Sequence, residues 1–275
     1  MPFRYADVFS ALGKLNTHKY SLLMQTHSTA SPIKLRQIGV LGGMGPLATV
    51  DFLHKVVCST LADVDQDHVP MVVGFCSKTP DRANALLGLG PSPLGDLIAA
   101  AQTLEQSGAE LVVMPCNTAH AWFDSVAASI KVPMLHIVDV AVDEAIRIGG
   151  TQAIGLLATS GTLLSNIYPS RGGCATWVTS TDDEQKRWVV AGISAIKGGR
   201  MAEGAALLLL AAQALVERGA KVIIMGCTEI PLGLAQRDID IPLIDSSLAL
   251  ARACVSWAGG RLAAEVLPDL AHSPL

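Results

Sequence analysis

The chain has 275 residues, half of them hydrophobic and 16% charged, with a formal net charge of −4. That length and apolar content can fill one large or two smaller cores, while the acidic balance, the lack of a Lys/Arg stripe and 4% aromatic residues exclude a nucleic-acid-binding surface. The six cysteines, at 58, 76, 116, 174, 227 and 254, form no C-x-x-C and no close Cys/His group; neither a metal site nor a disulfide framework is expected, and free thiols suit a reducing cytoplasm.

Residues 1–36 form the expected N-terminal extension; up to residue 35 they carry Arg4, Lys14, Lys19 and Lys34 against one acid, Asp7, and no sustained apolar run of the secretory kind. They are expected to be a poorly ordered extension, or to precede a true start at Met24, with an organelle-transit segment as the alternative. From Gln37 onward strand and helix signals alternate. Short apolar runs predict strands at 38–41, 71–75, 111–114, 134–136, 153–157, 222–225 and 243–244, most of the fully buried parallel type. Pro46 suits a first helical turn. The acids Asp182, Asp183 and Glu184 suit the start of a helix running toward Lys197. The apolar stretch 205–216, bracketed by Glu203 and Glu217, falls short of the ~18 residues a membrane span needs and reads as a buried helix, so no membrane partner is expected. Such alternation implies right-handed βαβ units and an α/β fold of doubly wound parallel sheets.

The chain also repeats itself. Residues 100–117 read AAQTLEQSGAELVVMPCN and residues 211–228 read AAQALVERGAKVIIMGCT, which sets Cys116 and Cys227 at matching positions. IGVLGGMGPLAT at 38–49 is echoed by IGLLATSGTLLS at 154–165, and IKVPMLH at 130–136 by IDIPLID at 239–245. Repetition at this length marks two homologous half-domains rather than a solenoid. The expected division is a first domain of 37–149 with 248–265 and a second of 150–247, pseudosymmetric, with the active site between them. Both cysteines close apolar strands, the end at which α/β sheets bind ligands. Polar residues suited to a helix start follow each, so both thiols are expected to be lowered toward partial ionisation; the other four cysteines read as small buried hydrophobes. Two thiols meeting one ligand from opposite sides can remove a proton from one face of a carbon and return one to the other, which is stereoinversion.

The segments IGVLGGMGPLAT at 38–49, PCNTAH at 115–120 and GCTEIP at 226–231 resemble the signatures of the aspartate/glutamate racemase family, in its aspartate racemase branch, and the resemblance runs from about residue 37 to about 264. It implies a racemase that works without pyridoxal phosphate or any other cofactor, built from two α/β domains, frequently dimeric, with an acidic amino acid, aspartate or glutamate, as its small-molecule substrate. Residue by residue it implies proton transfer by Cys116 and Cys227. It further implies substrate binding by Gly43, Met44 and Gly45, by Asn117, Thr118 and Thr228, and by Thr159 and Thr162. Arg82 in Pro80-Asp81-Arg82 resembles the arginine that receives a side-chain carboxylate, for which a planar guanidinium is suited, and Lys197 resembles a lysine that assists it. His120 reads equally as a local assistant of Cys116 or as a structural histidine. The loop 75–79, Phe-Cys-Ser-Lys-Thr, is one residue shorter than in family members with acidic substrates, which often read Asn-Pro there, and Ala83 stands for a usual threonine; the substrate is therefore less closely implied than the thiol pair.

Alternatives stand beside this reading. The wider superfamily uses paired cysteines in hydantoin racemases, maleate isomerases and malonate decarboxylases. Gly43 to Ala48 formally fits a G-x-G-x-x-A dinucleotide loop, but the strand at 71–75 is followed by Cys76 and Ser77 where the fingerprint needs an acid. A catalytically silent binding protein of the same fold is the third.

Overall fold

Period-two alternation of Ile, Val and Leu on short strands sends each strand's side chains to both faces of its sheet, and in this chain both faces are covered. In the computed structural model residues 34–264 are described. The expected N-terminal extension lies outside that range up to residue 33, as does residue 265 at the end of the expected first domain.

Strands β1 (Ile38–Gly42), β2 (Met71–Phe75), β3 (Leu111–Val113) and β4 (Met134–Leu135) form one parallel sheet in the order β2-β1-β3-β4. Strands β5 (Ile154–Ala158), β6 (Trp177–Thr179), β7 (Val222–Gly226) and β8 (Leu243–Asp245) form a second in the order β6-β5-β7-β8. The equivalent registers, Ile38 beside Leu111 and Ile154 beside Val222, make the second sheet a structural copy of the first. The expected strands all form, shifted by at most one residue at their ends. The sequence reading omits β6, a three-residue edge strand whose Trp-Val-Thr carries no apolar run.

The first half contributes α1 (Pro46–Ser59), α2 (Arg82–Leu86), α3 (Leu94–Gln106), α4 (Phe123–Ala127) and α5 (Ile137–Gly149). The second contributes α6 (Ser160–Leu164), α7 (Ile167–Arg171), α8 (Asp182–Glu184), α9 (Ala191–Lys197), α10 (Met201–Glu217) and α11 (Ser246–Ala258). Pro46 opens α1 as the first helical residue. Thr181 and Glu184 close a capping box at α8, and a π-helical segment, Gln185–Val190, carries the chain on into α9. The apolar stretch at 205–216 lies in α10 and buries Leu208, Ala211, Ala212 and Leu215. No helix among the described residues is long and apolar enough to cross a membrane.

Burial follows the alternation. Ile38, Val40, Leu111 and Val113 of the first sheet and Ile154, Leu156, Val222 and Ile224 of the second face one shared core, filled by Phe52 and Val56 of α1, Ile137 and Ala141 of α5 and Leu250 and Val255 of α11. The opposite faces pack separately, Leu41 and Val112 against Leu97 and Leu104 of α3, and Leu157 and Ile223 against Ile193 of α9 and Leu208 and Leu215 of α10. The last helix of each half crosses over: α5 packs on β7 and β8, and α11 packs on α1. A buried ion triad ties the same elements, Lys55 of α1 meeting Asp51 one turn earlier and, at 2.6 Å, Asp245 at the end of β8. The two halves are thus fastened by common apolar packing and by charge, which fixes the ends of β3 and β7 relative to each other.

Candidate active site

The two cysteines leave the central strands of their sheets at equivalent points, Cys116 three residues beyond β3 and Cys227 immediately after β7. Both are buried, and both line a single cavity together with Met44, Arg82, Asn117 and Thr118 from the first half and Thr159, Lys197 and Thr228 from the second. Of the residues singled out in sequence, Gly43 and Gly45 line an adjoining outer cavity instead. Thr162 lies behind the wall, its Oγ1 2.9 Å from Thr118 Oγ1 and 3.0 Å from Thr159 Oγ1. Thr159 caps α6, its hydroxyl accepting from the Thr162 amide, so the three hydroxyls form a closed triangle between the halves.

Local backbone demands explain the first loop. Gly43 has φ +88°, and a Cβ there would fall 2.5 Å from the Cys76 nitrogen, so a glycine is required on both counts. Its amide donates to Thr49 Oγ1 at 2.7 Å, and that hydroxyl donates to the Gly45 carbonyl, which folds the loop onto α1. Arg82 begins α2, whose cap Asp81 accepts from the Asn84 amide at 2.8 Å. The Arg82 side chain is buried; Nη1 donates to the Thr79 and Pro80 carbonyls, while Nε has no partner. Burial works against the guanidinium charge, but the neighbouring Cys116, Asp81 and Glu229 more than offset it and raise its pKa. Lys197, at the end of α9, reaches Glu229 at 3.9 Å. Burial pulls the lysine pKa down, but Glu229 and the two thiols more than offset it and leave the ammonium favoured.

Glu229 was not among the residues singled out in sequence, although it stands in the GCTEIP segment two positions past a cysteine, a spacing that a tight turn brings back upon the thiol. It is buried; Oε2 accepts from the Cys227 Sγ at 3.1 Å, and Oε1 has no hydrogen-bond partner. Its presence corrects the expectation of a lowered thiol at Cys227. Burial first, and the Glu229 carboxylate second, push the Cys227 pKa well above the ordinary thiol range, against the opposing pull of Lys197. The expected helix effect is weak at Cys227 for a structural reason: it precedes only a three-residue 3₁₀ turn, Ile230–Leu232, too short for a substantial dipole. Asn117 and Thr228 do not cap the turns that follow them either. The Asn117 amide is held by Tyr168 and Ser246, and Thr228 Oγ1 donates to the Pro115 carbonyl at 3.3 Å.

His120 proves structural. Nδ1 donates to the Cys116 carbonyl at 2.9 Å while Nε2 accepts from the Ile137 amide at 3.2 Å, which uses both ring nitrogens of the neutral imidazole. Burial pulls its pKa down to about 4, and burial with the neighbouring His120 and Arg171 pulls His136 to about 2. A histidine depressed in the folded state contributes stability that is present above its unfolded pKa near 6.5 and lost as the pH falls toward the folded value. The unfolding free energy should therefore drop by about 2 kcal/mol for His120 between pH 7 and pH 5. His120→Asn should flatten that part of the slope in urea titrations at the two pH values, and an unchanged slope would assign the acid sensitivity elsewhere.

The cavity between the thiols measures only about 20 Å³, room for one water. The outer cavity, of about 290 Å³, is also lined by Arg82, Lys197 and Glu229. These three charged side chains therefore stand between the thiols and the wider outer space.

Comparison with known proteins places the sequence and the fold in a family. The family described as Asp/Glu/Hydantoin racemase matches residues 41–254. The chain is 33% identical over 224 residues to the broad specificity amino-acid racemase RacX of Bacillus subtilis, covering 80% of this chain and 96% of that protein. The Picrophilus torridus aspartate racemase superposes with a TM-score of 0.77 at 30% identity, covering 85% of this chain and 98% of that one. An aspartate racemase homologue from Pyrococcus horikoshii shares the fold, with a TM-score of 0.66 at 24% identity over 82% of this chain and all of that one. With the doubled sheet and the match across most of its length, the chain belongs to the Asp/Glu/hydantoin racemase family and is an isomerase of the amino-acid racemase type.

Proposed function

We propose that the protein interconverts the enantiomers of an acidic amino acid, aspartate or glutamate, by two-base proton transfer between Cys116 and Cys227, with no cofactor required. The observation that carries the reading is that two cysteines, one from each copy of the repeat, line one cavity. One sulfur, as thiolate, takes the α-proton, and the other, as thiol, supplies a proton to the opposite face of the resulting carbanion. Cys227, pushed up by burial and by Glu229, takes the thiol role in the resting enzyme. Each turnover exchanges the two states and prepares the site for the other enantiomer. Glu229, whose Oε2 accepts from Cys227, is placed to mediate the return of the proton.

The free Nε of Arg82 and the Lys197 ammonium favour a substrate that brings a second carboxylate. Access runs from the outer cavity past Arg82, Lys197 and Glu229, and the 20 Å³ space must widen to admit an amino acid. The exposed Leu47, Val50 and Val57 of α1 support pairing of two copies, and the free thiols support a reducing, cytoplasmic setting. The test is a panel of single enantiomers, acidic, neutral and basic, followed by chiral chromatography. Racemisation confined to aspartate or glutamate is expected. Comparable rates on neutral amino acids would replace the acidic reading with a broad one, in keeping with the Bacillus subtilis relative's name, and turnover of a hydantoin or of maleate alone would point to the related two-cysteine reactions.

A further inference from the structure

Asn117, the residue after Cys116, is almost wholly buried, lines the cavity and has its side-chain amide tied on both ends by the second half. The direction of each bond is determined. The Ser246 hydroxyl donates to the Met225 carbonyl at 2.8 Å, so toward Asn117 it can only accept, and the Asn117 Nδ2 donates to it at 3.0 Å. The other end of the amide must then be Oδ1, which accepts from the Tyr168 hydroxyl at 2.7 Å. The amide is thereby fixed in one of its two possible orientations, with Oδ1 turned to Tyr168 and one Nδ2 hydrogen left over.

The chain of bonds also has a mechanical sense. It runs from Met225, two residues before Cys227, through Ser246 to Asn117, one residue after Cys116. The bond from Thr228, one residue after Cys227, to the carbonyl of Pro115, one residue before Cys116, crosses in the reverse direction. Each cysteine is thus strapped to the segment that carries the other. Tyr168 is fully buried, and its ring packs edge-on to Trp177 at 5.8 Å, so the hydroxyl can be removed without moving the ring.

We infer that Tyr168 and Ser246 are positioning residues: they lock the Asn117 amide so that its remaining N–H is directed to a substrate carboxylate, and they hold Cys116 at its working distance from Cys227. The inference rests on the racemase reading above. Tyr168→Phe should lower kcat/KM roughly 10- to 100-fold, the cost of freeing a buried amide to turn, and Ser246→Ala should lower it by a similar factor. Because both act through Asn117, the loss should nearly vanish when Tyr168→Phe is made on an Asn117→Ala background, whereas a merely structural loss would multiply with that of Asn117→Ala. The assay uses the full chain and the amino acid that the unaltered enzyme racemises fastest. An unaltered enzyme that racemises none would overturn the racemase reading itself. An active one whose Tyr168→Phe and Ser246→Ala variants stay within twofold, or whose losses multiply with Asn117→Ala, would overturn this inference. Should Tyr168→Phe fail to fold, Ser246→Ala with Asn117→Ala completes the same cycle.

Discussion

Cys116→Ala and Cys227→Ala should each lower racemisation between about 10²- and 10⁴-fold, the range by which a positioned acid or base contributes, while Cys174→Ala, at an exposed position outside the cavity, should leave it unchanged. Isotopes sharpen the result. When one enantiomer is converted in D2O, the proton removed stays on the first sulfur and the proton delivered comes from the second, which has exchanged with solvent. The product should then carry deuterium at the α-carbon from the first turnover, while the remaining substrate keeps protium early in the reaction. A single base swinging between faces would instead return part of the original protium to the product. Full activity in either cysteine variant, or early product that retains protium, would sink the two-base scheme. Glu229→Gln keeps the shape of its side chain but removes the charge beside Cys227, so it should give a smaller loss than either cysteine variant. That loss should change with pH, because the carboxylate helps hold Cys227 as a thiol.

Most of the architecture was legible because the chain repeats. A strand buried on both faces must read as a continuous apolar run, and two such runs with equivalent cysteines at their ends predict two equivalent sheets. The edge strand β6 was not legible, since Trp177-Val178-Thr179 pairs on one side only and carries a polar residue in three. Within the site, the repeat marks the paired residues and is silent about the unpaired ones. Thr118 occupies the repeat position of Glu229, and His136 that of Asp245. The first substitution sets a hydroxyl beside one thiol and a carboxylate near the other; the second sets a neutral cap on α5 and a charged one on α11. These differences matter through contacts brought by chain segments far apart in sequence. Nothing adjacent to Asn117 in the chain announces Tyr168 or Ser246, and nothing near Cys227 announces Lys197. The thiol expectation failed at Cys227 for the same reason, because burial and a neighbouring carboxylate outweigh a dipole from a turn of three residues.

Lys55→Met should destabilise the fold by about 3–5 kcal/mol, the cost of breaking a buried ion pair by removing one partner. In the folded protein the lysine is almost wholly buried between two carboxylates. Asp51 is on its own helix; Asp245, at the end of β8, also caps α11 by accepting from the Ser247 and Leu248 amides. Burial disfavours the lysine charge, but Asp245 and Asp51 more than offset it and raise its pKa. The Asp51 pKa is raised as well, by burial ahead of the opposing pull of Lys55. With methionine in place of the cation, the two carboxylates face each other with no positive charge between them, and Asp51 rises further. A carboxyl whose folded pKa lies above its unfolded value contributes stability below the unfolded pKa and loses it as the pH rises through the folded one. The variant should therefore be closest to the unaltered protein at acid pH and fall behind it toward pH 8, which urea midpoints at pH 5 and pH 8 would measure. Asp51→Leu added to Lys55→Met removes one of the two facing carboxylates and should recover part of the loss. A deficit below about 1 kcal/mol at pH 8, in the range of an exposed pair, would mean that the triad does not fasten α1 to the end of β8. Because Ser246 begins α11 directly after Asp245, loosening that corner should also slow racemisation in the fraction that remains folded. The bonds that orient Asn117 beside Cys116 pass through Ser246, which stands between Asp245 and the Ser247 and Leu248 amides that it caps.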